Sequence, residues 1–353
     1  MPRGVLVHDP DGINPYGREV ALAIAASRPV TLLLARDASW IPTGCRTRAV
    51  LPGNRGGNQV RQAVALLLGL WLVVWRCAFR RDALVAVWTR STAENLLFLL
   101  LARLGTEVVV VVHNPVPRVR LPAAREWSTR RLWQGASAVT AHGVRLATQT
   151  RVVAPGQTVL ICDHPPFSHW WPWARAQLPA RGSDSTMLRL LVLGQMRADK
   201  GLGDLHAALL QLPPEQRSGL ELVLCGRRSP EHPLPDFAAL VAVDDRTSEE
   251  FVGDLDIAAA VQSSDVLLAP LVLATASSTV VLGLTAGLGV IAYDGGEVDQ
   301  VLDDAGLVAT GDVSALAARI TQARAGGTVG GPRHPLEQWW ARCVAQWDQV
   351  LRP

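Results

Sequence analysis

The chain has 353 residues, 49% of them hydrophobic and 18% charged, with a net charge of +3. That length exceeds the size at which one hydrophobic core keeps growing, so two domains are expected, and the composition excludes a disordered or fibrous chain. The charge balance contains no block of like charges of the kind that marks a nucleic-acid tail, so nucleic acid is not an expected partner.

Met1, Pro2 and Arg3 lead directly into an apolar strand, Val5 to His8, without the apolar core and small-residue cleavage site of a signal peptide. A helical pattern follows over Tyr16 to Ser27, then a strand over Val30 to Ala35. Cys45, Cys77, Cys162, Cys225 and Cys343 are odd in number and scattered, which indicates neither a disulfide framework nor a zinc site. A cytoplasmic chain is expected from both features. The apolar run Ala63 to Trp75, followed by Arg76, Arg80 and Arg81, falls short of the about 20 residues of a membrane span. It is either a buried helix, the simpler reading, or a helix at a membrane surface, where Trp71 and Trp75 on one face favour the interface.

Strands are expected at Leu84 to Trp88 and at the all-valine run Val108 to Val112, with a helix over Leu96 to Arg103 between them. Continuous apolar strands alternating with helices imply parallel βαβ units covered on both faces. Periodicity is lost between Asp163 and Thr186, which reads as a linker, and its aromatic cluster His169-Trp170-Trp171-Pro172-Trp173 is either exposed or only linker packing. The rhythm restarts with strands at Leu188 to Leu193, Leu220 to Cys225, Val266 to Ala269 and Val290 to Tyr293, and helices at Leu202 to Gln211 and Thr279 to Ala286. Finally, Pro335 to Leu351 places Leu336, Trp339, Trp340, Val344 and Trp347 at helical spacing, so that segment buries one face. The expected layout is an N-terminal domain over residues 1–165, a linker over 166–186 and a second α/β domain over 187–334.

In doubly wound sheets ligands bind beyond the carboxyl ends of the strands, so the loops after them carry the candidate sites. The first, Asp9 to Gly17, includes Asn14, Tyr16 and Gly17 and opens a helix; it is either a plain turn or a loop whose amides approach a phosphate or sugar. The second, His113-Asn114, directly follows the valine strand, where an imidazole is either structural or placed for proton transfer; His142 and His164 also end strand-like runs and carry the same two readings. The third is Gly194-Gln195-Met196-Arg197-Ala198-Asp199-Lys200-Gly201, and Lys200 is the only lysine in the chain. Two cations beside glycines suit a departing diphosphate. The fourth runs from Ala274 to Gly287, where Ser277, Ser278 and Thr279 either simply cap a helix or form an anion site at its N-terminus.

In the order in which they occur, "LLVLGQMRADKG", "LELVLCG", "SSDVLLAP" and "TVVLGLTAGLGVIAYDGG" resemble the C-terminal domain of the family 1/family 4-type glycosyltransferases over Leu188 to Leu302. "VVVVVHNP" and "ASAVTAHG" resemble the first domain of that family more loosely. The resemblance implies the α/β GT-B class: two Rossmann-like domains facing across a cleft, with residues 335–353 packing back as a helix on the N-terminal domain. It further implies a nucleotide diphosphate sugar held by the second domain, through Gly194, Gln195, Arg197, Lys200, Gly226, Ser277, Ser278 and Thr279. An acceptor held by the first would meet Asn14, Tyr16, Gly17, His113, Asn114, His142 and His164, with His113, Arg197 and Lys200 in catalytic roles. No cofactor or metal is implied. The Glu-x7-Glu motif of many members is missing, since Ala274 and Leu282 stand at its two positions, and the hydroxyl-rich turn instead resembles exopolysaccharide and glycolipid transferases.

The function expected is hexose transfer from a nucleotide diphosphate sugar to a lipid-linked or polysaccharide acceptor, with the chain peripheral at the inner face of the membrane. The alternative is a non-catalytic module of the same fold that binds a sugar or a partner.

Overall fold

The computed structural model of the protein describes residues 4–53, 58–115, 121–181, 186–272 and 276–352. Residues 54–57 and 116–120 lie outside the described residues, as do Ala274 and Thr275 of the fourth candidate site. The chain divides into two units, one of residues 1–165 and 337–353, the other of residues 166–336.

The first unit runs β1 (Val5–Asp9), α1 (Tyr16–Ala25), β2 (Val30–Ala35), β3 (Arg46–Leu51), α2 (Gln59–Val74), β4 (Ala83–Ala86) and α3 (Thr92–Arg103). It continues through β5 (Val108–Val112), α4 (Ala123–Gly135), β6 (Ala138–Ala141), α5 (Val144–Val153) and β7 (Val159–Ile161). The seven strands form one sheet in the order β3-β2-β1-β4-β5-β6-β7, parallel throughout. β1, β2, β4, β5 and β6 are buried along their whole length, as strands covered by helices on both faces must be. Ser91 starts α3 with a capping box: its side chain accepts from the Glu94 amide while the Glu94 carboxylate accepts from the Ser91 amide.

The second unit contains α6 (Trp170–Arg175), β8 (Leu188–Leu193), α7 (Leu202–Gln211), α8 (Pro214–Arg217), β9 (Leu220–Arg227), β10 (Ala242–Ser248) and α9 (Asp254–Ser263). It ends with β11 (Val266–Ala269), α10 (Ser278–Ala286), β12 (Gly289–Tyr293), α11 (Val298–Val301), β13 (Leu307–Val308) and α12 (Val313–Arg324). Its six parallel strands order as β10-β9-β8-β11-β12-β13. Each sheet therefore steps outward from its first strand on one side, then reverses to the other.

The last helix, α13 (Leu336–Val350), belongs to the first unit through all but its opening residue. Trp339, Cys343 and Trp347 bury its apolar face. Asp163 fastens it: the Asp163 amide donates to Gln346 Oε1 at 2.8 Å and its carboxylate accepts from Arg342 Nε at 3.2 Å.

The structure differs from the sequence expectation at the linker, at α2 and at two edge strands, among other places. Within the supposed linker, α6 is folded and packs on α9 and α10, with Trp170 and Trp171 buried rather than exposed. A pair of indoles hidden there serves the core of the second unit. The Ala63 to Trp75 run is not a buried helix: α2 and its π-helical last turn cover Gln59 to Phe79, and Leu67, Trp71 and Phe79 are 66%, 60% and 77% exposed. Finally, β3 and β10 went unpredicted because both are sheet edges carrying charge: Arg46 and Arg48 are exposed on β3, and Asp244 of β10 binds Arg189 and Arg246. Charged edges prevent strand addition and so escape a search for apolar runs.

Candidate functional site

The order of each sheet puts a switch point between β1 and β4 in the first unit and between β8 and β11 in the second, and ligands of such folds bind outside the strand ends there.

In the first unit the strand ends deliver aromatic and titratable side chains to one place. The loop after β1 is built of side-chain turns: Asp9 Oδ1 accepts from the Asp11 amide, Asp11 Oδ1 from the Ile13 amide, and Asn14 Oδ1 from the Tyr16 amide. Asn14 thus launches α1, and Gly17 in its first turn has a steric reason, since a Cβ there would stand 2.4 Å from Asp9 Cγ. The launch buries Tyr16 completely. Its ring centroid lies 4.8 Å from that of His113, 5.1 Å from His142 and 4.7 Å from His164. Three histidines far apart in sequence, each from a different strand end, therefore surround one phenol. Trp88, beyond β4, stacks on His113 at 3.6 Å and 10°.

A backbone carbonyl only accepts, so each imidazole has a fixed tautomer. His113 donates from Nε2 to the Val87 carbonyl at 3.1 Å, His142 from Nδ1 to Cys162 at 2.9 Å, and His164 from Nδ1 to Pro165 at 2.8 Å. Burial holds His113 well below the ordinary imidazole range, helped by its His142 and His164 neighbours. Burial likewise lowers His142 to about 4 and His164 to about 3. All three are neutral near pH 7, and His113 and His142 keep a lone pair on the second ring nitrogen that can accept a proton or hydrogen bond from a hydroxyl. His142 Nε2 and the Tyr16 hydroxyl are buried with no hydrogen-bond partner among the described residues.

Two groups beneath this cluster escaped the sequence reading. Burial raises Asp9 to about 8, against the opposing pull of Arg18, and its Oδ2 is a further buried atom without a partner among the described residues. Glu94 goes the other way: burial would raise it, but His8 Nε2 at 3.4 Å and the amides of Arg90 and Ser91 hold it at about 2. Only the Ser91-x-x-Glu94 capping signature was legible for these. Nothing in the strand His8-Asp9 announced that both side chains would be buried. Asn114, the remaining first-unit candidate, is partly exposed directly after His113.

Beside the second unit's switch point the ends of β8 and β9 touch. Gly194 has φ +108° and Gly226 φ +142°, and a Cβ on Gly226 would lie 2.0 Å from the Gly194 carbonyl oxygen, so glycine is required. Beyond Gly194, Lys200 is largely buried and donates from Nζ to the Leu193 carbonyl at 2.9 Å. A Cβ on Gly194 would stand 3.0 Å from that Nζ and 3.7 Å from Thr279 Oγ1. The ammonium, the glycine and the first turn of α10 therefore converge on one spot. Ser277 caps α10, accepting from the Val280 amide at 3.4 Å, and Ser278 opens the helix beside it. Amides at a helix start favour anions.

Arg197 is placed differently from the expected diphosphate contact. Its guanidinium forms a two-pronged pair with Asp199, Nε to Oδ1 at 3.0 Å and Nη2 to Oδ2 at 2.9 Å, so the adjacent carboxylate neutralises it within its own turn. Gln195 lies partly exposed in the same turn. Nearby, Met196, Leu224, Phe237, Arg228, Asp236 and Asp245 line a cavity of about 580 Å³. Leu282, at the second position of the carboxylate motif, is buried in α10 among Val281 and Leu284. Among the described residues no three of His, Cys, Asp or Glu are grouped to hold a metal ion.

Residues 188–325 match the family model of the glycosyl transferases group 1. No curated protein matches the chain. Among solved structures, the sucrose-phosphate synthase of Thermosynechococcus elongatus is 15% identical, with 99% of this chain and 94% of that one covered at a TM-score of 0.63. HepE of Anabaena in complex with UDP-glucose is 16% identical, with 99% and 94% covered at 0.61. WaaG, a glycosyltransferase involved in lipopolysaccharide biosynthesis, is 17% identical, with 98% and 95% covered at 0.57. These likenesses concern the fold, which is GT-B with two Rossmann-like domains.

Proposed function

We propose that this chain, whose residues 188–325 form a glycosyl transferases group 1 domain, moves a hexose from a nucleotide diphosphate sugar to a lipid-linked or polysaccharide acceptor at the cytoplasmic face of a membrane. The observation that carries the donor half is the convergence of Lys200 Nζ, Gly194 and the Thr279 hydroxyl at the head of α10. A diphosphate leaving with two negative charges is stabilised there by an ammonium and by helix amides oriented before the reaction begins. In this reading Gly194, Gln195, Gly226, Ser277, Ser278 and Thr279 shape the donor site and Arg197 contributes through its turn. The neighbouring cavity takes the nucleoside.

The acceptor half rests on the histidine edge. The acceptor hydroxyl gives its proton to His113 Nδ1 as its oxygen forms the new bond to the sugar's anomeric carbon and the bond from that carbon to the diphosphate breaks. Asn14, Tyr16, Gly17, Asn114, His142 and His164 form the surroundings of the acceptor. HepE holding UDP-glucose and WaaG serving lipopolysaccharide synthesis make a UDP-hexose the first donor to try and a lipid-linked glycan the first acceptor. All five cysteines are thiols, four of them buried, which suits a reducing compartment.

The test is thermal unfolding against UDP-, GDP-, ADP- and dTDP-sugars, because a ligand bound to the native state raises its stability by mass action. A rise for one nucleotide class that is lost in Lys200→Ala supports the donor site. Absence of any rise, together with no sugar release, overturns transfer in favour of a non-catalytic binding module.

A further inference from the structure

The α2 segment, with its π-helical last turn, presents a surface that glycosyl transfer does not explain. It is 21 residues long over Gln59 to Phe79, enough by length and composition to cross a bilayer. Yet its small residues are committed to the first unit: Ala65, Gly69, Val73 and Cys77 are buried, and Gly69 lets the helix pass close over Leu51, whose Cδ2 a Cβ would approach to 2.4 Å. The helix therefore lies along the sheet instead of leaving it.

The opposite side is the anomaly. Val60, Val64, Leu67, Leu68, Trp71, Trp75 and Phe79 are all exposed, in a run too continuous for scattered surface apolar residues. Trp71 and Trp75 stack at 6.4 Å and 17°, so the two indoles form one apolar plate. Charge marks its ends: Arg61 is exposed near the start, Arg80 lies over the Trp75 ring at 6.0 Å, and residues 59–81 contain no acidic side chain. The adjoining edge strand β3 adds exposed Arg46 and Arg48. Indoles and aliphatic side chains on one face with arginines around them are the features of a helix that lies in the bilayer interface and prefers anionic lipid.

We infer that the exposed face of α2 docks flat on an anionic lipid bilayer. The aliphatic side chains and the Trp71-Trp75 plate enter the boundary between headgroups and acyl chains, and Arg61, Arg80, Arg46 and Arg48 meet lipid phosphates. This binding is independent of the transfer reaction, since none of these residues belongs to the donor or acceptor site and vesicle binding needs no sugar.

The experiment is co-sedimentation of the full chain with vesicles of phosphatidylcholine alone and of phosphatidylcholine with phosphatidylglycerol, across a salt series. Binding to the anionic vesicles, weakening with salt, is expected. The double substitution Leu67→Glu with Trp71→Glu should abolish it with the unfolding midpoint unchanged, because both side chains lie outside the core. Arg61→Gln with Arg80→Gln should weaken it roughly 25-fold, from about 1 kcal/mol per arginine near an anionic surface and 1.4 kcal/mol per tenfold. No binding by the unaltered chain, or equal binding by the Leu67→Glu, Trp71→Glu chain, overturns the inference. So does light scattering that shows a dimer broken by the glutamates without any vesicle binding, which would assign the face to a second copy of the chain.

Discussion

Although both sheets step outward from their first strand and reverse in the same way, their carboxyl edges carry different chemistry. In the first unit the edge is imidazole, phenol and indole, with His142 lowered to about 4 and Asp9 raised to about 8 by burial. In the second it is an ammonium, close-packed glycines and a helix start. The first edge is built of groups that burial keeps uncharged and ready to exchange hydrogen bonds and protons. The second is built of a fixed positive charge and fixed dipoles. One fold thus presents two different chemistries through the residues just beyond each strand, which in the proposed transfer would handle the proton and neutralise the diphosphate.

The largest expected effect breaks the charged edge. Lys200→Ala removes the one ammonium and should lower turnover by about 10²–10³-fold, the usual cost of losing one preorganised donor, with donor-induced stabilisation lost as well. Initial rates and thermal shifts with the same donor check this. Next comes the proton-handling edge: His113→Ala should reduce turnover by about 10²-fold while donor-induced stabilisation persists. If both variants lose the donor shift, the division of labour between the two edges fails.

A smaller effect sharpens the charged edge. Because Asp199 already holds its guanidinium, Arg197→Ala should cost only about tenfold in turnover, well below the Lys200 variant. A loss equal to that of Lys200→Ala in the same rate assay would mean that Arg197 releases Asp199 and meets the diphosphate directly.

The smallest expected effect is on stability and concerns the first edge. Asp9 has its carboxyl raised from 3.8 to about 8 by burial. The protonated form is the one the fold favours, so its contribution is complete below pH 3.8 and is lost as pH rises through about 8. His142 has the opposite sign: lowered from 6.5 to about 4, it contributes stability above pH 6.5 that is lost as pH falls through about 4. Asp9→Asn should therefore flatten the part of the unfolding-midpoint profile that falls as pH rises from 3.8 to about 8 and leave the His142 part in place. A slope over that window identical in the variant would show that Asp9 ionises freely in the folded chain.

Much of the fold was legible because central strands covered on both faces must be apolar throughout. Val30 to Ala35, Val108 to Val112, Leu188 to Leu193 and Val266 to Ala269 have the same bounds in sequence and structure. The edges β3 and β10 were not, since their charged residues satisfy solvent and one neighbour rather than a core. The Lys200 turn was visible as a lysine among glycines, whereas the commitment of Arg197 to Asp199 was not, because any nearby carboxylate competes equally well on paper.

The sequence by itself determined that this is an α/β chain of two domains whose strand ends hold histidines in one half and a lysine-glycine turn in the other. Local patterning suffices for that, because strand and helix periods are written in consecutive residues. Only the tertiary structure decided that His113, His142 and His164 surround Tyr16, that Asp9 is buried beside Gly17, that Trp170 is core, and that α2 turns its apolar face outward. Each of these depends on which surface a neighbouring element covers, and burial is a property of the packed chain rather than of the segment.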